Sequence, residues 1–207
     1  MDSVSHTTVA RYLLDYAEQN EGVSFQRKAF CFGNLKPDLK GEYLTKRHYP
    51  SLMFEEVMQR IRDFAANYHI GDENSAKLSE EFGVICHYIT DFFSFPHNDD
   101  IYERGLFAHY VYEKRTSLTI SKRIDSQRFA DWAEPVRQDI PQSVEALIAA
   151  LTEQHEGYVA QAYHGIDDDV AHICCALSML MLSMIRITQT AVVPMTVRAS
   201  KRTVVPA

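Results

Sequence analysis

The 207-residue sequence has little glycine and little proline, eight and seven positions, too few for a disordered or linker-rich architecture. It has no surplus of positive charge. Twenty-one Lys and Arg stand against 28 Asp and Glu, a formal charge of -7, which disfavours capture of nucleic acid or an anionic surface through a broad positive field. Four cysteines, Cys31, Cys86, Cys174 and Cys175, form no CxxC pair, so reduced, buried thiols are expected. The opening stretch MDSVSHTTVARYLLDYAEQ lacks a charged n-region followed by a long apolar run and a small-residue cleavage site; with no secretory signal recognised, a cytoplasmic protein is expected. Sustained period-two alternation is missing too, which leaves little room for a sheet.

What is present is apolar spacing of three and four residues along most of the chain, the pattern of amphipathic helices. The expectation is an all-α, single-domain multi-helix bundle over residues 1–192, with a loose tail at 193–207, since one core stays continuous up to roughly 250 residues. Helices are expected over 7–19, 24–32, 51–70, 75–93, 104–117, 126–136, 142–163 and 168–188, with an irregular loop over 35–50 marked by Pro37, Gly41 and Pro50. The third long helix must break near Phe95, because a residue before proline is disfavoured in the helical region. The apolar run Ala176–Ile185 in the last helix is bracketed by His172 and Arg186, short of the ~20 residues of a membrane span, and reads as core.

The chemistry concentrates in GVICHYITDFFSFPHND. His87 and Asp91 are four apart on a helix and share a face; His97 follows beyond the Pro96 break, free to turn elsewhere. His109 and Glu113 form a second i, i+4 pair. Either pair alone means little, because a histidine beside a carboxylate is usually a surface pair or a satisfied core group. Two pairs with His97 between them suit a shell of imidazole nitrogen and carboxylate oxygen, the donors of Zn²⁺, Fe or Mn. Upstream lie His6 at the first helix, and Asp38 and His48 in the proline-marked loop.

The ordered set His6, Asp38, His48, His87, Asp91, His97, His109 and Glu113 resembles the ligand pattern of the zinc-dependent phospholipase C family over about Ser5–Glu113. The resemblance implies two to three Zn²⁺: one held by Asp38, His48 and His87, with Asp91 bridging to a second that His6 also binds, and a third held by His97, His109 and Glu113. In the family an amino-terminal tryptophan gives its amine and carbonyl to the second zinc. This chain begins MDSVS and has no such tryptophan, so that site is completed by the backbone near Met1, by water, or is left weakly occupied.

The implied activity is hydrolysis of the glycerol–phosphate ester of phospholipids by a metal-bound hydroxide, with Asp38 orienting it or accepting its proton. Paired metals roughly 3.5–4 Å apart suit in-line displacement at phosphorus. The implied partner is a phospholipid or other phosphate ester, met through transient contact with a membrane surface. No stable nucleic-acid partner is expected. Phe92, Phe93 and Phe95 are candidates to line an acyl pocket, although core packing is their commoner use. Two other readings stay open. Single-strand zinc nucleases share the HxxxDxxxxxH core but normally end the last pair in aspartate rather than glutamate; the other alternative is a metal-binding domain without turnover. His69, His155, His164 and His172 fall outside the pattern and read as surface or capping groups.

Overall fold

A computed structural model describes residues 1–39, 48–69, 71–72, 75–123, 125–161 and 164–191. The first helix, α1 (Ser3–Glu21), starts earlier than apolar spacing predicts, because the Asp2 carboxylate caps it by accepting the Ser5 N–H. It ends at Gly22, which adopts the left-handed backbone that only glycine takes at little cost. Two short helices follow, α2 (Arg27–Gly33) and α3 (Lys36–Leu39). The latter falls where an irregular loop was expected; Pro37 inside its first turn is compatible with helix because that N–H needs no partner. His48 lies just before α4 (Pro50–Asn67), which opens with Pro50 in its first turn.

Ser75 caps α5 (Ala76–Phe92), and the expected break is realised as a 3-10 turn, Phe95–His97. Then come α6 (Leu106–Arg123), which runs past the expected end at residue 117, α7 (Ser126–Gln138), α8 (Val144–Val159) and α9 (Ile166–Ala191). Among the described residues there is no strand. The expected tail at 193–207 lies outside them.

Helix α9 passes between the others, packing against α1, α4, α5, α6, α7 and α8. By length and composition Ile166–Thr188 could cross a membrane, so the length criterion applied to the shorter run Ala176–Ile185 does not decide the matter. Packing does: Val170, Ile173, Cys174, Leu177, Leu180, Met181, Met184 and Ile185 are buried against the remaining helices. The four cysteines are free thiols, Cys86 and Cys174 buried.

The closest helix pair is α2 with α5. At Gly33 an added Cβ would lie 2.0 Å from the Glu80 carbonyl oxygen, and at Gly83 it would lie 2.2 Å from that of Phe30. Two glycines therefore let the backbones touch, and that contact sets where the segment after α2 runs. Phe92 and Phe93, candidates for an acyl pocket, are instead fully buried among Phe54, His155, Tyr158 and His172.

Candidate metal centre

His87 and Asp91 project from the buried face of α5, one turn apart, and neither is exposed. The His87 Nδ1 lies 2.8 Å from the Asn34 carbonyl oxygen. A carbonyl only accepts, so Nδ1 carries the proton and Nε2 presents its lone pair, the arrangement that orients a metal-ligating imidazole. That lone pair faces Asp91 Oδ2 at 3.3 Å, His48 Nδ1 at 3.1 Å and Asp38 Oδ1 at 3.8 Å. The Gly33–Gly83 contact makes this possible, since it brings both the Asn34 carbonyl and, through α3, Asp38 to α5.

Asp91 divides its two oxygens. Oδ2 faces His48 at 3.2 Å and His87; Oδ1 faces His6 Nε2 at 3.2 Å and His97 Nε2 at 3.7 Å, and contacts the amino nitrogen of Met1. That nitrogen also lies 2.9 Å from His97 Nε2 and 3.6 Å from Glu113 Oε1. The Met1 nitrogen is thus an atom in reach of the second set. On α6, Glu113 Oε1 is 3.1 Å from His109 Nε2 and 3.3 Å from His97 Nε2.

The eight residues picked out from the sequence thus converge. Three sets have ligand atoms within 4.8 Å of one another: His6, His87 and Asp91; Asp38, His48 and His87; and His97, His109 and Glu113. His6, His87 and Asp91 form the floor, whereas Asp38, His109 and Glu113 keep 30%, 20% and 18% of their side chains exposed and mark the mouth.

A cation fits this donor set. Three carboxylates meet, and among the described residues none is ion-paired to a lysine or arginine side chain. Both ring nitrogens of buried His6 and the Nδ1 of His97 make no hydrogen bond; His6 Nε2 is near Asp91 but lacks bonding geometry. Burial, with His87 nearby, pushes His6 down to about 3, and burial pushes His97 down to about 4. Burial alone would raise Asp91, yet the surrounding rings and the Met1 amine hold it well below the carboxylate range. Glu113, opposed by burial but bonded to His109 and His97, is held low as well. Neutral His6 and His97 beside ionised Asp91 and Glu113 are in the protonation states a metal requires.

Supporting residues were less visible in the sequence. Asn98 donates to the Phe92 and Ser94 carbonyls and contacts His155 Nε2 at 3.0 Å, which fixes the turn carrying His97. His155 is therefore a buttress within the fold and not the surface histidine expected. Asp169 accepts from the Phe95 N–H, Tyr112 O–H and Tyr158 O–H, tying that turn and α6 to the start of α9. Three aspartates at a helix start read as dipole partners; nothing in their spacing marks Asp169 as the buried one.

Burial raises the Asp169 carboxyl from 3.8 to about 6, against the pull of its three donors. Between those values the folded chain holds a proton that the unfolded chain has released, so stability must fall as pH rises through that window. The contribution is fully present below 3.8 and lost above about 6, on the order of 3 kcal/mol at 1.36 kcal/mol per pH unit. Urea denaturation of zinc-free wild type at pH 4 and pH 7 should show this loss relative to Asp169→Asn. Equal pH dependence in the two proteins would show that Asp169 stays ionised throughout.

Comparison with known families gives a match over residues 5–165 to the sequence model described as zinc dependent phospholipase C. It extends beyond Glu113 through α7 and α8, where no motif was recognised. No curated protein and no solved structure matches the chain. With the matched region spanning most of the sequence and holding the whole histidine–carboxylate cluster, the chain belongs to the zinc-dependent phospholipase C family.

Proposed function

We propose that the chain hydrolyses the glycerol–phosphate ester of phospholipids, using two to three zinc ions held by His6, Asp38, His48, His87, Asp91, His97, His109 and Glu113. The observation that carries this reading is the convergence of those donors into three adjacent sets joined by Asp91. When bound, zinc lowers the pKa of water and offsets negative charge on phosphoryl oxygens.

The chain's own groups divide the remaining work. Asp38 is the most exposed of the three carboxylates, and burial with the neighbouring Asp91 charge raises its pKa despite the opposing pull of His87. It is the group placed to accept a proton at Oδ1 from attacking water entering through the mouth. Asp91 stays ionised at the floor and holds the two halves of the centre at fixed separation. The Asn34 carbonyl holds the tautomer of His87. Where the Met1 nitrogen is a free amine, it adds a donor to the His6 side.

The test is zinc per chain by plasma mass spectrometry on protein purified without chelator, followed by release of phosphorylated head group from phosphatidylcholine. Two to three zinc equivalents with chelator-sensitive release are expected. No zinc after reconstitution would overturn the ligand assignment; full zinc with turnover confined to nucleotides, or with none, would replace the phospholipid reading.

A further inference from the structure

Half of the large apolar side chains left in solvent among the described residues fall in one place. Leu106 and Phe107 are 87% and 81% exposed, Tyr110 is 57% exposed and Val111 is 37% exposed. All sit in the first turns of α6, the helix that carries His109 and Glu113. At 3.6 residues per turn, Leu106 and Tyr110 border the His109–Glu113 row on one side, and Phe107 and Val111 continue that apolar surface round to the outer face of the helix, opposite the row. Leu39, next to Asp38, is also exposed. Exposed apolar side chains thus stand beside the mouth of the metal centre on two elements, Leu39 on α3 and Leu106 and Tyr110 on α6, and continue over the outer face of α6; such patches mark contact sites.

Charge says what the contact is. The chain carries -7 overall, yet α6, LFAHYVYEKRTSLTISKR, has Lys114, Arg115, Lys122 and Arg123 against Glu113 alone. Arg115 and Lys122 lie on the flank of the apolar side away from the ligand row, along a groove lined by Arg104 as well and, on its far wall, by Asp167 and Asp168. Lys114 sits over the Tyr110 ring at 5.5 Å and reaches Asp2 at 3.0 Å, which ties the patch to the start of α1. An aromatic and aliphatic face bordered by cations, on one helix of an otherwise acidic protein, complements a layer of phosphates over hydrocarbon.

We infer that the first turns of α6 dock on a phospholipid surface, with Leu106, Phe107 and Tyr110 entering the boundary between head groups and acyl chains and Arg115 and Lys122 meeting lipid phosphates. This rests on the phosphoester reading for its substrate but not for its own readout. Leu106 and Tyr110 border the mouth, so docking there sets the mouth beside the head-group layer and shortens the path of a lipid to the centre.

The experiment uses vesicles of phosphonate analogues of phosphatidylcholine and phosphatidylglycerol, which have no glycerol–phosphate ester to cleave. Wild type should float with them. Leu106→Ser with Phe107→Ser should lower the bound fraction at least about tenfold, while hydrolysis of a monomeric short-chain phospholipid stays within about twofold, because neither residue reaches the ligand cluster. Arg115→Glu with Lys122→Glu should weaken binding to phosphatidylglycerol-containing vesicles and leave neutral ones unaffected. Unchanged flotation of the Leu106/Phe107 variant would overturn the proposal. So would a parallel loss on monomeric lipid, which would make the patch a pocket wall, or a dimer in sedimentation that the variant dissolves, which would make it a self-contact. Patch-dependent flotation of wild type together with no lipid hydrolysis would keep the docking surface and remove the phospholipase reading instead.

Discussion

Asp91→Asn should lose at least one zinc per chain and reduce phosphoester hydrolysis about 10³-fold or more, the scale on which removing one stabiliser of developing charge is measured. The carboxylate serves two neighbourhoods at once, Oδ2 towards His48 and His87 and Oδ1 towards His6, His97 and the Met1 nitrogen. An amide of the same shape has one acceptor oxygen. Whichever way it turns, its NH₂ group faces ring nitrogens or the amine where a shared cation would sit, and the negative charge between the two halves is gone. Metal analysis and turnover on a purified variant that keeps a cooperative thermal transition check this. Full zinc with turnover within about tenfold of wild type would mean that Asp91 does not join the sets.

Gly83→Ala should destabilise the protein by about 3 kcal/mol, the upper range for forcing extra atoms into a packed interior. On an open helix the same change would stabilise by roughly 1 kcal/mol. The sign reverses here because the new Cβ would meet the Phe30 carbonyl oxygen at 2.2 Å, a backbone atom that cannot swing aside. Separation of α2 from α5 then withdraws the Asn34 carbonyl from His87 Nδ1 and shifts Asp38 on α3, so zinc affinity should drop along with the denaturation midpoint. A variant as stable as wild type, with unaltered zinc binding, would refute the close approach.

Much of this was legible before any coordinates. The periodicity that marks α4, α5 and α9 is strong because each buries a wide apolar face, and the break at Pro96 follows from proline geometry. The histidine–carboxylate pairs on α5 and α6 stand out because that chemistry at four-residue spacing suits a metal, whereas His6, Asp38 and His48 are picked out only through the family resemblance. Boundaries were harder. The Asp2 cap that lengthens α1 and the extension of α6 to Arg123 are local hydrogen-bonding and packing matters that apolar spacing does not report. Hidden altogether were the groups whose role is set by tertiary contact: the Asn34 carbonyl, Asp169 among three identical neighbours, and His155 braced against Asn98. Gly83 looked like an ordinary helix glycine until the backbone opposite it was seen.

The place of α9 in the order of the chain bears on how the protein is made. Every side chain of the cluster, from His6 to Glu113, leaves the ribosome before α9 does, yet α9 is one of the helices against which α5 and α6 pack. At roughly 5–20 residues per second, a nascent chain therefore spends seconds with its histidines emerged and the helices that present them still without their backing. A stalled product ending before Ile166 would hold these side chains without α9 packed behind the helices that present them.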